Sequence, residues 1–289
     1  TKAIEGYAAQ EQLVGGVETL FKTSSDTVVG YANDAYKTAG MSANEYMETV
    51  TSFSASLLAS MNNDTAAAAE KANVAITDMS DNANKMGTDI SLIQNAYNGF
   101  AKQNYTMLDN LKLGYGGTKE EMQRLLDDAS KLSGIKYDIS SYSDVVDAIH
   151  VVQTEMGITG TTAKEASTTI EGSVSSMSSA WDNWVAGMAD SEANFSQLTS
   201  NLVDSIVTVV GNIAPRVIET VPRLVSGLGE IVEQLATYIP QVIQELLPPL
   251  MSGVQDLLNT LVGMLPEMIS IIGQIIPTII DTLLTILPQ

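Results

Sequence analysis

The sequence predicts an all-α protein, and three observations lead to this fold class. Ala, Ser, Thr, Met and Leu dominate the 289 residues, whereas only four Phe and two Trp occur, which suits close helix packing better than a strand-built core. Helix-capping residues recur along the first two thirds of the chain. No long stretch alternates apolar and polar residues, the pattern of a half-buried strand. We therefore expect a compact multi-helix domain, followed by a long helix and then apolar, proline-kinked helices that self-associate.

The first helix boundaries follow from local capping chemistry. Gly40 is expected to end one helix, and Ser42 and Glu45 have the spacing of a capping box that opens the next. Asp64 is expected to cap a strongly helical stretch that stops at Gly87.

Later boundaries follow the same logic. One helix is expected to start at a capping box of Thr118 and Glu121 and to end at Gly134. The next is expected to start at Ser143 or Asp144 and to end at Gly157. A third capping box, Thr162 with Glu165, is expected to open a helix that runs to about Gly187. The helix after Ser143 is rich in Val, but its apolar positions keep helical spacing, so we interpret it as helix rather than strand.

A change in composition divides the chain. All eight prolines lie between Pro215 and Pro288, and the last lysine is Lys164. We therefore predict a helical block over residues 1–160, a connecting long helix over 161–197, and a hydrophobic, proline-punctuated helical region over 198–289.

The hydrophobic region has its own periodicity. Pro266, Pro277 and Pro288 are 11 residues apart, close to three helical turns, so they share nearly one face of a helix that kinks or ends at each of them. The acidic residues of this region stay within about half of the helix circumference. They are Asp204, Glu219, Glu230, Glu233, Glu245, Asp256, Glu267 and Asp281. A wide apolar surface remains, which must meet copies of itself, other helices or lipid.

Part of this region has the length of a membrane-spanning helix. Residues 257–280 are long enough to span a bilayer, but Glu267 lies near the middle and no lysine or arginine flanks the stretch. A central acid costs roughly 2.5–3.5 kcal/mol on insertion scales. The sequence therefore favours packing against its own copies, with membrane insertion as a conditional second state.

The net charge and the lack of cysteine argue against several classes of function for this chain. The formal charge of −20, from 34 acidic and 14 basic residues, argues against a protein that binds the phosphate backbone of nucleic acid. The absence of cysteine excludes disulfides, thiol nucleophiles and cysteine metal sites. The first residues lack the basic segment and apolar run of a signal peptide. Because the chain starts at Thr1 and stops within an apolar pattern at Gln289, we expect it to be a piece of a longer protein.

Two motifs suggest catalysis or ligand binding at first sight. The glycine-rich loop 113–118 (LGYGGT) resembles a phosphate cradle, but Thr118 precedes Lys119, the reverse of a P-loop, so a tight turn into a capped helix is expected. His150, the only histidine, cannot form a multi-histidine metal site. A packed or half-buried histidine is expected there rather than a catalytic base.

The remaining polar and aromatic clusters are also interpreted as parts of the fold and not as functional sites. The acid pairs 120–121 and 127–128 are expected to be solvated helix faces rather than glycosidase carboxylates. A calcium-binding loop that began at Asp78 would need Gly at its sixth position, where this chain has Ala83. Trp181 and Trp184, with Met177 and Met188, are expected in the core, with a partner surface as the alternative. We predict no catalytic, cofactor-binding or metal-binding residue, and no cofactor.

Several long strings within about residues 5–190 carry a family resemblance. They lie at 7–21 (YAAQEQLVGGVETLF), 31–40 (YANDAYKTAG), 45–58 (EYMETVTSFSASLL), 78–87 (DMSDNANKMG), 95–117 (NAYNGFAKQNYTMLDNLKLGYGG) and 148–161 (AIHVVQTEMGITGT). In this order they resemble a block of the tail tape measure proteins of phages and prophages of Gram-positive bacteria. The region from 198 onward resembles that family only in its hydrophobic character.

The resemblance implies a structural, non-enzymatic role. Such a protein lies in the lumen of the virion tail, helps to set tail length, and assists genome delivery. The implied partners are copies of itself, with a trimer favoured, tail tube and distal tail or baseplate proteins, and tail assembly chaperones in the host cytoplasm before assembly. Specific nucleic-acid binding is not expected. The alternatives are a membrane-active channel formed at the host envelope by residues 198–289 and, third, a cell-wall hydrolase.

Overall fold

A computed structural model describes residues 2–235, 248, 250–264 and 266, and the described residues are predominantly helical with no β-strand. The predicted all-α class is confirmed. Ten α-helices lie within residues 2–235: α1 Lys2–Phe21, α2 Ser25–Thr38, α3 Ala43–Ser60, α4 Thr65–Met86, α5 Ile90–Phe100, α6 Lys119–Ser133, α7 Tyr142–Glu155, α8 Thr161–Thr168, α9 Ile170–Gly187 and α10 Phe195–Leu235. Short 3-10 turns occupy Lys22–Ser24 and Leu108–Leu111, and residues 250–264 are also helical.

Contacts between residues group the chain into two units, Thr1–Val217 and Ile218–Gln289. The first unit includes α8, α9 and the start of α10, which belong to the predicted connecting helix and hydrophobic region.

Several predicted boundaries appear where local chemistry places them. The Ser42 hydroxyl accepts the Glu45 amide proton while the Glu45 carboxylate accepts the Ser42 amide proton at 2.7 Å, so the capping box at α3 is complete. The Asp64 carboxylate accepts two amide protons at the start of α4, and Gly87 ends that helix in the left-handed conformation. These caps satisfy backbone groups that the first and last helical turns leave unpaired.

Helix α4 runs through the main core, and its small side chains allow other helices to pack closely against it. Alanines at positions 68, 69, 72 and 75 are buried along one side of α4, followed by Ile76 and Met79. Helices α3, α5 and α7 pack against α4 and contribute Tyr46, Phe53, Tyr97, Val145 and Ile149 to the same core. The core therefore combines aromatic and aliphatic residues from neighbouring helices with an alanine-lined helix.

The region 161–197 differs from the prediction of one connecting long helix. Thr169 has an extended backbone (φ −116°, ψ 156°), and its hydroxyl accepts the Gly172 amide proton at 3.0 Å, so α8 ends and α9 begins there. The two helices pack so closely that a Cβ at Gly172 would lie 2.4 Å from the carbonyl carbon and oxygen of Glu165. A break at Thr169 and a glycine at the contact make this tight pairing possible.

Two predicted helix starts were also displaced. The third capping box does not form, because α8 begins at Thr161 and the Thr162 amide donates to Asp81 instead. Helix α7 begins at Tyr142 with Ser141 as its N-cap, before the predicted Ser143 or Asp144. Asp81 of α4 therefore binds the start of α8, and the adjacent Ser141 caps α7.

The predictions for the proline-rich region can be followed only in part. Helix α10 includes Pro215 and Pro222 within its bounds. Pro277, Pro288 and most of the membrane stretch 257–280 lie outside the described residues.

Candidate functional site

Helix α10 carries an exposed apolar stripe, defined here as positions 203, 207, 210, 214 and 217. Val203, Val207, Val210 and Val217 are exposed, Val207 to 65 %, and Ala214 is half-buried. At about 100° per residue, the five positions fall within an arc of about 80°. One side of the helix therefore presents a continuous line of aliphatic side chains to solvent.

Another face of the same helix packs inside the first unit. Leu202, Ser205 and Val209 are buried, with Val209 only 8 % exposed. Leu202 belongs to a small apolar cluster with Tyr36 and Ala180. Asp204 lies about 100° from Val203, off the stripe. Because α10 is held by a different face, the stripe is not its attachment to the rest of the unit.

The spacing of apolar residues in the sequence also marks the stripe, although the prolines and acidic residues of the region follow other spacings. Its positions follow alternating steps of four and three, and the sequence continues them at Val221, Leu224, Leu228, Ile231 and Leu235. This spacing is the a/d pattern of a coiled-coil seam. In residues 250–264, taken separately, the same steps recur in exposed side chains: Leu250, Val254, Leu257, Leu261 and Met264. The signal that could have located the stripe was therefore present in the sequence.

The stripe also lies within a helix that meets the simplest criteria for a membrane span. Residues Phe195–Arg223, 29 residues, are long and apolar enough to cross a bilayer, and only 17 % of the qualifying stretch is buried in the fold. Core helices of soluble proteins pass the same test when they are mostly buried.

The two tryptophans do not both lie in the core, and the expectation for Trp181 was wrong. The Trp181 side chain is 51 % exposed and stacks on Trp184 at a ring-centroid distance of 5.3 Å. Trp184 is half-buried, packs with Met177 against the small cluster, and contacts the Phe195 ring at 5.4 Å. Met188 is exposed. The aromatic residues thus form a surface patch between α9 and the start of α10.

His150 is half-buried as predicted, but its partner is a carboxylate rather than an apolar neighbour. Its Nδ1 lies 2.9 Å from Oδ2 of Asp78, whose side chain is 1 % exposed. The Asp78 hydrogen bond raises the pKa of His150, whereas burial, partly opposed by His150, raises the pKa of Asp78. Among the described residues, no hydroxyl bonds to His150, so the pair lacks the nucleophile of a catalytic triad.

The same segment of α4 carries further buried polar residues, among them Asp81 and Asn82. Asp81 accepts the amide protons of Gly160 at 2.6 Å and Thr162 at 2.8 Å. Asn82 donates to the Leu111 carbonyl and to the Gln153 side chain. The run interpreted as a failed calcium loop is therefore helix, and its polar groups join α4 to α7 and to the start of α8.

The glycine-rich loop is a closed turn. The Gly116 amide donates to the Glu121 carboxylate at 3.0 Å, and Arg124 donates to the Gly114 carbonyl. A Cβ at Gly117 would lie 2.3 Å from the Thr106 carbonyl oxygen. The amide that would bind a phosphate thus already holds a carboxylate of the chain itself.

The acidic pairs of α6 belong to local surface contacts. Glu121 pairs with Arg124, which with the Gly116 amide lowers the Glu121 pKa to about 2. Asp128 pairs with Lys131 and accepts from the Tyr115 hydroxyl, while Asp127 accepts from Gln123. Within the part of the chain that the structure describes, no three acidic or histidine side chains cluster as a metal site.

Comparison of the chain with protein-family models, with curated proteins and with solved structures finds no match.

Proposed function

We propose that this chain is a non-enzymatic structural protein that associates with copies of itself through the α10 stripe, acting as a tail tape measure protein in the lumen of a phage or phage-like tail. The observation that carries the proposal is the exposed line Val203, Val207, Val210 and Val217, on a helix already anchored by Leu202 and Val209.

A second copy of the chain is the occupant that best matches the stripe. The alternating spacing of four and three is the spacing at which two or more helices interlock along a common seam. Burial of aliphatic side chains is worth about 25 cal/mol per Å² of apolar surface. Asp204 lies about 100° from Val203, so it borders the seam and does not occupy one of its apolar positions.

The assignment to a tail lumen is supported by the residue strings and by charge. The tape measure resemblance covers about residues 5–190, and the net charge of −20 would repel DNA passing along the same channel. A helical assembly also suits a length-determining part, because each residue adds about 1.5 Å along the axis. Tube, baseplate and chaperone proteins are the partners that this role requires.

Sedimentation velocity of the full 289-residue chain over a range of concentrations tests the self-association. We expect a concentration-dependent oligomer that Val207→Glu shifts towards monomer. Thr208→Glu is the matched control, because it adds the same charge at the next position, about 100° away from Val207. A wild-type monomer at all concentrations, or equal effects of the two substitutions, would reject the seam.

The location is tested separately by mass spectrometry of purified tails from cells that produce them. We expect peptides of this chain to copurify with the tube protein in particles that have kept their tails. Their absence from intact tails would reject the tape measure role while leaving the seam untouched.

A second candidate function is membrane activity at the host envelope, favoured by the exposed 29-residue apolar stretch Phe195–Arg223. Dye release from liposomes would measure it, with a chain ending at Asn194 as control. Release by the full chain alone would support this function, and equal release by both would show that the apolar region is not responsible.

A further inference from the structure

A cleft of about 600 Å³ lies between the start of α1, the second half of α9 and the start of α10. This volume falls within the range of small-ligand sites, about 300–1,000 Å³. Neither His150, Asp78 nor any position of the α10 stripe lines it. The cleft is thus separate from the His150–Asp78 pair and from the stripe, and it shares Trp181 with the aromatic patch.

The lining of the cleft is unusually rich in side-chain amides, which both donate and accept hydrogen bonds. These residues are Gln10, Asn33, Asn44, Asn183, Asn194, Gln197 and Asn201. Hydroxyl groups have the same double character, so a ligand bearing several hydroxyls would find complementary partners along the whole cleft.

Hydrogen bonds within the chain hold several of these amides before any ligand binds. Asn183 accepts the Ala43 amide proton through Oδ1 at 2.7 Å, which leaves its Nδ2 as a donor. Asn44 donates through Nδ2 to the Gly6 carbonyl at 3.0 Å, which leaves its Oδ1 as an acceptor. Gln197 donates to Asn201 at 2.9 Å, which leaves its Oε1 as an acceptor. Fixed donors and acceptors reduce the entropy lost when a ligand binds.

An aromatic surface completes the cleft. Trp181 lines it with 51 % of its side chain exposed, and Trp184 stacks behind it at 5.3 Å. An exposed indole offers a large, rigid apolar face on which the C–H face of a sugar ring can lie, while the hydroxyls at the ring edge reach the amides.

The charges of the cleft select among saccharides. Its charged residues are Lys2, Glu5, Asp182, Asp190 and Glu192, so acids outnumber bases. An anionic sugar would be repelled. A single cation would find carboxylates, but only one aromatic residue lines the cleft, whereas cages for quaternary ammonium groups enclose the cation with several.

We infer that this cleft, with Trp181 as the stacking surface and Asn44, Asn183 and Gln197 as hydrogen-bonding groups, binds a short neutral oligosaccharide. The inference does not depend on the tape measure role or on the α10 seam.

Isothermal titration calorimetry of the full chain with triacetylchitotriose and with maltotriose tests the inference, and tryptophan fluorescence gives a second signal because the chain has only two tryptophans. We expect saturable binding of at least one trisaccharide. Trp181→Ala should weaken it at least tenfold, and Asn183→Asp, which keeps the acceptor to Ala43 but removes the free donor, should weaken it several-fold.

Val174→Ala is the matched control, because Val174 is an exposed apolar residue of α9 outside the cleft, and it should leave the affinity unchanged. Circular dichroism establishes that each variant is folded. Absence of binding to both trisaccharides would overturn the inference. So would binding that Trp181→Ala leaves unchanged, or saturable binding of choline or trigalacturonic acid without either neutral sugar.

Discussion

The Nδ1 atom of His150 lies 2.9 Å from Oδ2 of Asp78, across 72 residues of sequence and between helices α7 and α4. Asp78 is 1 % exposed, whereas the His150 side chain is 38 % exposed. The imidazole is therefore the polar group that compensates a carboxylate buried in the core, and the stability of the fold depends on this compensation.

We predict that the free energy of unfolding falls as pH rises from 6 to 8, in part through this pair. The pKa of His150 is raised above its ordinary value, mainly by the hydrogen bond to Asp78, with Asp147 adding to the shift and Lys71 opposing it. The folded state thus holds the proton more tightly than the unfolded chain. The stabilisation is complete below about pH 6.5 and is lost as pH rises through the folded pKa. Urea unfolding at constant ionic strength measures it.

His150→Gln provides the control for the pH dependence, because glutamine can donate to Asp78 but does not titrate. The variant should show a flatter pH profile over the same range. Burial raises the pKa of Asp78, which acts in the same direction, so the difference between the two profiles measures what His150 adds. Parallel profiles for the two proteins would mean that His150 does not govern the effect.

Asp81→Ala is predicted to be among the most destabilising polar substitutions in the first unit. The Asp81 side chain is fully buried and accepts the amide protons of Gly160 and Thr162. Its removal leaves two backbone donors without their acceptor, at about 1–3 kcal/mol each. Chemical denaturation should show a loss of about 3 kcal/mol or more.

Asp127→Ala is the matched control for this prediction, because Asp127 is exposed on α6 with a single contact to Gln123. We expect a change within about 0.5 kcal/mol. If both aspartates gave similarly small losses, the bonds of Asp81 to the loop before α8 would not be important for stability.

Local capping chemistry explains which helix boundaries could be predicted from sequence. Ser42, Asp64, Gly87 and Gly134 act within a few residues of their own positions, so their roles need no knowledge of distant contacts. Thr118 also accepts the Glu121 amide proton, although the Glu121 carboxylate bonds to Gly116 and Arg124 rather than completing a box.

Some of the failures have a different cause, contacts with residues distant in sequence. Thr162 has the spacing of a cap, but Asp81, 81 residues away, binds its amide. The His150–Asp78 pair was not predicted for the same reason: the two residues are 72 positions apart, and no local pattern around either one indicates the contact. Trp181 was expected in the core, with a partner surface as the alternative, whereas its side chain is 51 % exposed and stacks on Trp184.

Gly172→Ala is predicted to destabilise the first unit through the α8–α9 contact. The new Cβ would lie 2.4 Å from backbone atoms of Glu165, which cannot move aside as the end of a flexible side chain can. Overpacking of this kind costs about 1–3 kcal/mol. A thermal or urea melt would measure the loss.

Gly211→Ala makes the opposite prediction for the same chemical change. Gly211 lies within α10, and a Cβ there would meet no atom within 4 Å. Replacing an unconstrained helical glycine with alanine should stabilise by about 0.5–1 kcal/mol. Stabilisation by both substitutions would show that α8 and α9 are not in contact at Gly172.

The two valines at 207 and 209 allow the anchored and exposed faces of α10 to be separated with one substitution. Val209 is 8 % exposed and Val207 is 65 % exposed. Val209→Ser should therefore lower the free energy of unfolding of dilute protein by about 1–3 kcal/mol, because it removes buried methyl groups and buries a hydroxyl. Val207→Ser should leave the free energy of unfolding nearly unchanged, because Val207 is already in water when the chain is alone.

At high protein concentration Val207→Ser should also lower the free energy of unfolding, since Val207 then lies in the proposed seam and its loss weakens association. Urea unfolding at low and high concentration measures both effects. Equal, concentration-independent losses for the two variants would mean that Val207 packs within a single chain and that the stripe is not a surface for a second copy.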